Sequence, residues 1–162
     1  MDLSWVTPQI AVGARFEIGE AAALRAQGIA RVVDLRTECC DGEEVLRTHG
    51  VLLLSLPTED CCAVSQEMLD DGVAWVRAQL SDGHRVYIHC EHGIGRSVLL
   101  TVCVLVDLGF EPLEALAHVK RARAKASPSP EQLEAFRTWV SRRADRFTVP
   151  TLDALGRIAW AA

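Results

Sequence analysis

No stretch of this sequence stays apolar for long enough to cross a bilayer. The longest such run, Val98–Val106 with Thr101 inside it, is about half of the roughly 20 residues that a spanning helix needs. The N-terminus, Met1-Asp2-Leu3-Ser4-Trp5, lacks the basic stretch followed by an apolar one that marks a secretory leader. Positive charge is not in excess either: 17 Lys and Arg stand against 22 Asp and Glu, a net charge of −5. A protein built to coat nucleic acid carries the opposite balance. There is no repeat, no low-complexity tract and no obvious linker. These absences predict a soluble, cytoplasmic protein with no membrane insertion and make nucleic acid an unfavoured partner. An acidic chain can still hold a phosphate, but only in a locally positive pocket.

Metal-ligand spacing is also missing. The six cysteines include two adjacent pairs, Cys39-Cys40 and Cys61-Cys62, and neither has the CxxC form; the five histidines are scattered. Without a leader, and with an ordinary core, reduced thiols are expected rather than a disulfide framework. What is present is a globular mixture, 49% hydrophobic and 24% charged over 162 residues. That length corresponds to one domain, residues 1–162, with a core over about 5–146 and a closing helix near 151–160.

The hydrophobic pattern alternates between strand and helix signals. Trp5–Val12 reads as a strand or short hairpin, Ile18–Gln27 as a helix closed by Gly28, and Ile29–Leu35 as a buried strand. Glu43–Thr48 reads as a short helix and Val51–Leu56 as a strand ended by Pro57. Ser65 is an N-cap candidate, followed by Leu69, Val73, Val76 and Leu80 on one helical face and by Gly83 as a stop. Arg85–His89 is a third strand, and a long helix begins near Arg96. Pro112 opens a helix to about Arg123. Glu131–Arg146 is amphipathic, with Leu133, Phe136, Trp139 and Val140 inward, and Thr151–Trp160 suggests a last helix. The sum is an α/β domain: a central, mainly parallel sheet flanked by helices.

The chemistry concentrates in one strand-to-helix turn, His89-Cys90-Glu91-His92-Gly93-Ile94-Gly95-Arg96-Ser97. Helix N-termini present unpaired N–H groups and the positive end of a dipole, so such a turn suits an anion. Gly93 and Gly95 allow the backbone to wrap closely. Arg96 adds a fork of donors that matches two phosphate oxygens. Cys90, at the base of this cradle, is the candidate nucleophile, its thiolate favoured by the same field. Ser97 can hydrogen-bond the sulfur and help it leave.

This segment resembles the signature loop of the cysteine-based protein tyrosine phosphatases: His-Cys, five residues, Arg, then Ser or Thr. The chain length, the Leu56-Pro57-Thr58-Glu59-Asp60 element and the closing helices resemble the small dual-specificity branch, over roughly residues 5–146. The resemblance implies a phosphatase fold, no metal or cofactor, and a two-step hydrolysis through a phospho-cysteine on Cys90. It implies that the amides of residues 91–96, from Glu91, His92, Gly93, Ile94, Gly95 and Arg96, hold the phosphate oxygens. It also implies a general acid on a separate loop about thirty residues before the cysteine. Asp60 precedes Cys90 by 30 positions, with Glu59 as the fallback. His89 is expected to orient the loop by hydrogen bonding. A supporting role is open for Gln132, which resembles a Gln that approaches the pocket in some relatives. Arg36 and Glu38 end a strand beside the catalytic one and either support the loop, touch substrate or form a plain surface ion pair.

The expected substrate is a phosphorylated protein, a phosphotyrosine most naturally, or a small phosphomonoester; the oligomeric state is open. The same chemistry on a phosphoinositide, an inositol phosphate or an RNA 5′-triphosphate is the first alternative. The loop has no Lys to meet extra phosphates, and Glu91 adds a negative charge. Some inositol-polyphosphate phosphatases nevertheless carry Glu there, and the Cys-x-His-Gly opening resembles RNA triphosphatases. A rhodanese-like sulfur carrier and a non-catalytic phospho-residue reader are further alternatives. The cysteine pairs could give redox control of Cys90, Cys103 reads as core, and the basic clusters Lys120-Arg121-Arg123-Lys125 and Arg142-Arg143-Arg146 read as solvated faces.

Overall fold

The computed structural model describes residues 1–162. Five strands form one sheet: β1 Leu3–Trp5, β2 Ile10–Gly13, β3 Ile29–Arg36, β4 Leu52–Thr58 and β5 Arg85–His89. Their spatial order is β1-β2-β5-β3-β4. Only β1 and β2 pair antiparallel, as a hairpin. The other neighbours are parallel, as the alternating pattern requires. β5 is therefore the central strand, and its C-terminal end feeds the HCEHGIGRS turn. In open parallel sheets the crevice beyond those strand ends is where ligands bind.

Seven helices cover the two faces: α1 Ala21–Ala26, α2 Glu43–Thr48, α3 Gln66–Ser81, α4 Arg96–Asp107, α5 Pro112–Ala122, α6 Pro130–Ser141 and α7 Leu152–Ala159. The pleat sorts the sheet residues between them. Val12, Val33, Val86 and Ile88 join the larger core with α3 to α7. Ala11, Val32 and Tyr87 join the smaller one with α1 and α2. Every residue from Arg96 to Val106 on α4 is buried. A helix that is apolar all round must be enclosed, and α4 lies among β5, α3, α5 and α6. Its rigid seat is what fixes the loop at its N-terminus. No helix is long and apolar enough to cross a membrane.

Three boundaries differ from the sequence expectation. Pro57 does not end β4, which continues to Thr58. β4 is an edge strand, where a missing N–H costs no ladder bond. The pairing also shifts, from Asp34 opposite Ser55 to Arg36 opposite Thr58, so a bulge absorbs the extra residue. The segment 18–27 starts as a 3-10 turn at Ile18–Glu20, closed by a Glu17–Glu20 capping box, before α1 proper. The amphipathic helix expected to reach Arg146 stops at Ser141. Its inward residues Leu133, Phe136, Trp139 and Val140 are all buried as expected. Ser65 caps α3 by accepting from the Met68 amide at 3.1 Å, and Gly28 and Gly83 take the left-handed conformation that ends a helix.

Phe136 is fully buried between α6 and the main core. Replacing it with alanine should cost about 3–5 kcal/mol of unfolding free energy, read as a lower urea midpoint at unchanged slope. A loss below about 1 kcal/mol would mean that α6 lies outside the cooperative core.

Candidate active site

The turn between β5 and α4 has a consistent polarity. Each carbonyl from residue 91 to residue 95 accepts from an N–H outside the turn. His89 Nδ1 lies 3.2 Å from the Cys90 oxygen. The Arg15 amide donates to Glu91 O at 3.1 Å, Ser127 N to Ile94 O at 2.9 Å and Leu99 N to Gly95 O at 2.9 Å. Arg123 donates Nη2 to His92 O at 2.9 Å and Nε to Gly93 O at 2.6 Å. None of the amides of residues 91–96 donates to another backbone group. With the carbonyls turned out, these N–H groups form a concave nest at a helix N-terminus, an arrangement that binds anions. α4 has no side-chain cap at its N-cap, Gly95, so its dipole end is open to the nest.

Two glycines permit this path. Gly93 has φ +66°, and a side chain there would run into the Gly13 backbone. A Cβ on Gly95 would collide with Gln132 Oε1.

Cys90 lies at the floor, 3% exposed, with Sγ 3.2 Å from Ser97 Oγ. Arg96 is 1% exposed. Its Nη1 and Nη2 bind Glu38 at 2.7 and 2.8 Å, and Nη1 also donates to Thr58 O at 2.7 Å. Burial alone would lower the Arg96 pKa, but Glu38, Cys90 and Asp60 outweigh it and the value is raised. In return the guanidinium beside Glu38 holds that carboxyl down to about 2. Arg96 Nε is buried with no partner, a donor left over after Glu38 and Thr58 are served.

Asp60 follows β4 on the opposite wall. Its Oδ1 accepts from Cys61 N at 2.9 Å and lies 3.3 Å from Arg96 Nη2, which leaves Oδ2 free. Asp60, Cys61, Cys90, His92, Ile94, Ser127 and Gln132 are among the residues lining one cavity of about 160 Å3. Gln132 serves the wall rather than solvent: it closes the α6 capping box with Ser129 and donates to Cys62 O at 3.2 Å.

Beneath the loop lies a buried ionic network. Arg36 is 4% exposed and is not the surface ion pair with Glu38 that the sequence allowed. It binds Asp34, Asp41 and Glu91. Burial by itself would lower its pKa, yet these carboxylates hold it raised. His89 Nε2 lies 2.7 Å from Asp41 Oδ2, and the ring stacks on Tyr87 with Phe16 at its edge. Asp34, Asp41 and His89 bring ligand-type atoms within 4.8 Å of one another, and Arg36 supplies the positive charge between the two carboxylates.

Arg123 departs most from the sequence expectation: it belongs to a cluster expected to be a solvated basic face, yet it is 3% exposed. It spans from the loop carbonyls to Asp2, whose carboxyl it helps hold well below the usual range together with Lys125. No spacing rule marks it, because its partners are backbone oxygens 30 residues away. Cys39 and Cys40 lie on the far side of Glu38, lining a separate hollow. Cys103 is in the core, where burial pushes its thiol pKa up.

The model of the PTP-SAK family, described as "Swiss Army Knife protein, DSP-PTPase phosphatase domain", matches residues 1–147. The chain belongs to this family. Among curated proteins it is similar to the rat "Phosphatidylglycerophosphatase and protein-tyrosine phosphatase 1", 31% identical over 97 residues, 59% of this chain and 50% of that protein. It is also similar to mouse "Dual specificity protein phosphatase 2", 26% identical over 126 residues, 76% of this chain and 38% of that protein. The chain thus spans half or less of the length of these relatives. Among solved structures, "Tk-PTP in the active form" superposes with a TM-score of 0.81 at 28% identity, over 87% of this chain and 97% of that one. α7 lies beyond the matched residues of the family domain.

Two outcomes test this geometry. Arg123→Lys keeps the charge but cannot hold two carbonyls and Asp2 at once. Affinity for inorganic phosphate, measured well below the variant's melting temperature, should fall about tenfold, with a lowered thermal midpoint from the carbonyls left unpaired, and an unchanged affinity would show that the loop holds its shape without the fork. The Glu38 carboxyl is depressed by Arg96, so its stabilisation is full above the unfolded value of 4.5 and is lost as pH falls toward about 2. The stability gap between the native protein and Glu38→Gln should be constant above about pH 6 and close through that window in urea titrations. A gap that stays open at pH 2 would place the stabilisation elsewhere.

Proposed function

We propose that the protein hydrolyses phosphomonoesters through a phospho-cysteine on Cys90. The observation that carries this reading is the outward engagement of every loop carbonyl, which leaves a nest of free amides over a buried thiol. A phosphate dianion placed there would meet the amides of residues 91–96 and the spare Nε–H of Arg96. Those donors face the three non-bridging oxygens, where charge must be stabilised in the transition state.

In the first step the Cys90 thiolate attacks phosphorus and a P–S bond forms as the P–O ester bond breaks. The departing oxygen takes a proton from Asp60, whose Oδ2 is uncommitted. In the second step the Asp60 carboxylate takes a proton from water, and that water oxygen attacks phosphorus. The P–S bond breaks and the sulfur leaves as thiolate, with the Ser97 hydroxyl 3.2 Å away to receive it. Arg96 and the amides supply the charge stabilisation, so the chemistry asks for no metal. A phosphotyrosine protein fits the family. A phospholipid monoester is a second reading, favoured by the name of the rat relative.

The test is phosphate release from p-nitrophenyl phosphate and from a phosphotyrosine peptide, with chelator present. Cys90→Ser should abolish turnover of both. Asp60→Asn should lower kcat on the peptide by about 10²–10⁴ and less on p-nitrophenyl phosphate, whose leaving group needs little protonation. A harmless Asp60→Asn on the peptide would assign the acid elsewhere. Full activity of Cys90→Ser would end the covalent mechanism.

A further inference from the structure

We propose that the site prefers a phosphotyrosine flanked by Lys or Arg and discriminates against carriers bearing further anionic groups beside the ester. The inference rests on the phosphomonoesterase reading and adds the charge character of the substrate.

The cradle has donors for one phosphate only. Beyond it the mouth is acidic. Asp60, with its side chain 59% exposed, lines the cavity, and Glu59 precedes it in an exposed position. Glu131 is exposed on the first turn of α6, beside the cavity-lining Gln132. Both Glu59 and Glu131 lie close enough to add to the rise that burial causes in the Cys62 thiol pKa. Glu38, 40% exposed and bound to Arg96, and Glu91, 25% exposed at the start of the loop, line a neighbouring hollow with Arg15 and Arg36.

The cations near this mouth are already engaged. Arg96 is held by Glu38 and Asp60, and Arg36 by Asp34, Asp41 and Glu91. Arg15 is shared between Glu17 and Glu91, while Arg123 and Lys125 share Asp2. His92, exposed on the cavity wall, has no carboxylate partner. A second phosphate next to the scissile ester would therefore have to compete with carboxylates for Arg15 or Lys125, and would meet further carboxylates that repel it. A Lys or Arg flanking the ester meets the complementary field instead, which speeds encounter and favours the bound state.

The phosphorus must also reach a sulfur that is 3% exposed. A phenyl ring is a slim stem for that descent and offers an apolar face to the half-buried Ile94 on the cavity wall. A phosphatidylglycerophosphate carries a phosphodiester charge near its monoester and brings it to the same acidic mouth.

The experiment measures kcat/KM for the intact chain at low ionic strength. The substrates are p-nitrophenyl phosphate, two phosphotyrosine peptides of equal length with Lys or Glu at the flanking positions, and phosphatidylglycerophosphate in phosphatidylcholine vesicles. The Lys peptide should exceed the Glu peptide by about tenfold or more, and the advantage should shrink as NaCl screens the rim. Glu59→Gln combined with Glu131→Gln should reduce that ratio several-fold. A ratio near one or inverted, or a lipid turned over faster than the Lys peptide, would overturn the proposal while p-nitrophenyl phosphate still reports a working enzyme. Absence of any turnover, p-nitrophenyl phosphate included, would remove the underlying reading and this proposal with it.

Discussion

An anion held by backbone amides tolerates no carbonyl oxygen pointing at it, and much of this chain serves that constraint. Five consecutive carbonyls, from Glu91 to Gly95, have to be turned away together, and each is held by an N–H from outside the turn. The donors come from scattered places in the sequence. Arg15 follows β2, Arg123 ends α5, Ser127 precedes α6 and Leu99 lies on α4. The fold can be read as a means of bringing those four residues around one turn. The central position of β5 and the enclosure of α4 hold the two ends of the turn still. Because the donors are already in place, little reorganisation remains when an anion arrives, the condition under which such dipoles stabilise charge most.

Holding the loop from below requires buried charge, which is costly unless it is paired and hydrogen-bonded. Arg36 meets that condition with Asp34 and Asp41, and its remaining arm reaches Glu91 at the start of the loop. Asp41 then reaches His89, so one carboxylate ties β3's guanidinium to the histidine beside Cys90. Arg96 shows the same economy with a different end. Glu38 and Thr58 fix the plane of its guanidinium while Nε is left over.

The architecture was largely legible in the sequence, because alternation of β-branched runs with helical periodicity is a local signal. So was the cradle, because Cys90, Gly93, Gly95 and Arg96 lie within one short segment whose spacing has a physical meaning. The limits of legibility follow from the same logic. Pro57 was read as a strand end, since sequence does not say which strand lies at the edge. The roles of Glu38, Asp41 and Arg123 were not readable, since each acts on a residue far away in the chain. Arg123 was hidden further by its company: Lys120, Arg121 and Lys125 make a basic cluster of the kind that usually faces water. Arg36 lies, as its position in the sequence implies, on a strand beside the one that leads to Cys90, but its burial depends on Asp34 and Asp41 closing over it. In each case the missing information was a tertiary contact, and no local pattern encodes it.

Distance explains how an acidic mouth can surround a site for an anion. On the proposed reading the amides and Arg96 would dominate at hydrogen-bond range, where their donors would touch the phosphate oxygens. The carboxylates of Glu59 and Glu131 would act from the rim, across solvent, where screening would reduce them to a bias of steering and selection rather than a veto. Glu38 and Asp60 are the intermediate case. They lie against Arg96 itself, so they compete for the guanidinium that the phosphate also needs. The nest amides have no such competitor, and Glu38 fixes the guanidinium plane. On this reading the near field would recognise a phosphate as such, and the far field what the phosphate is attached to.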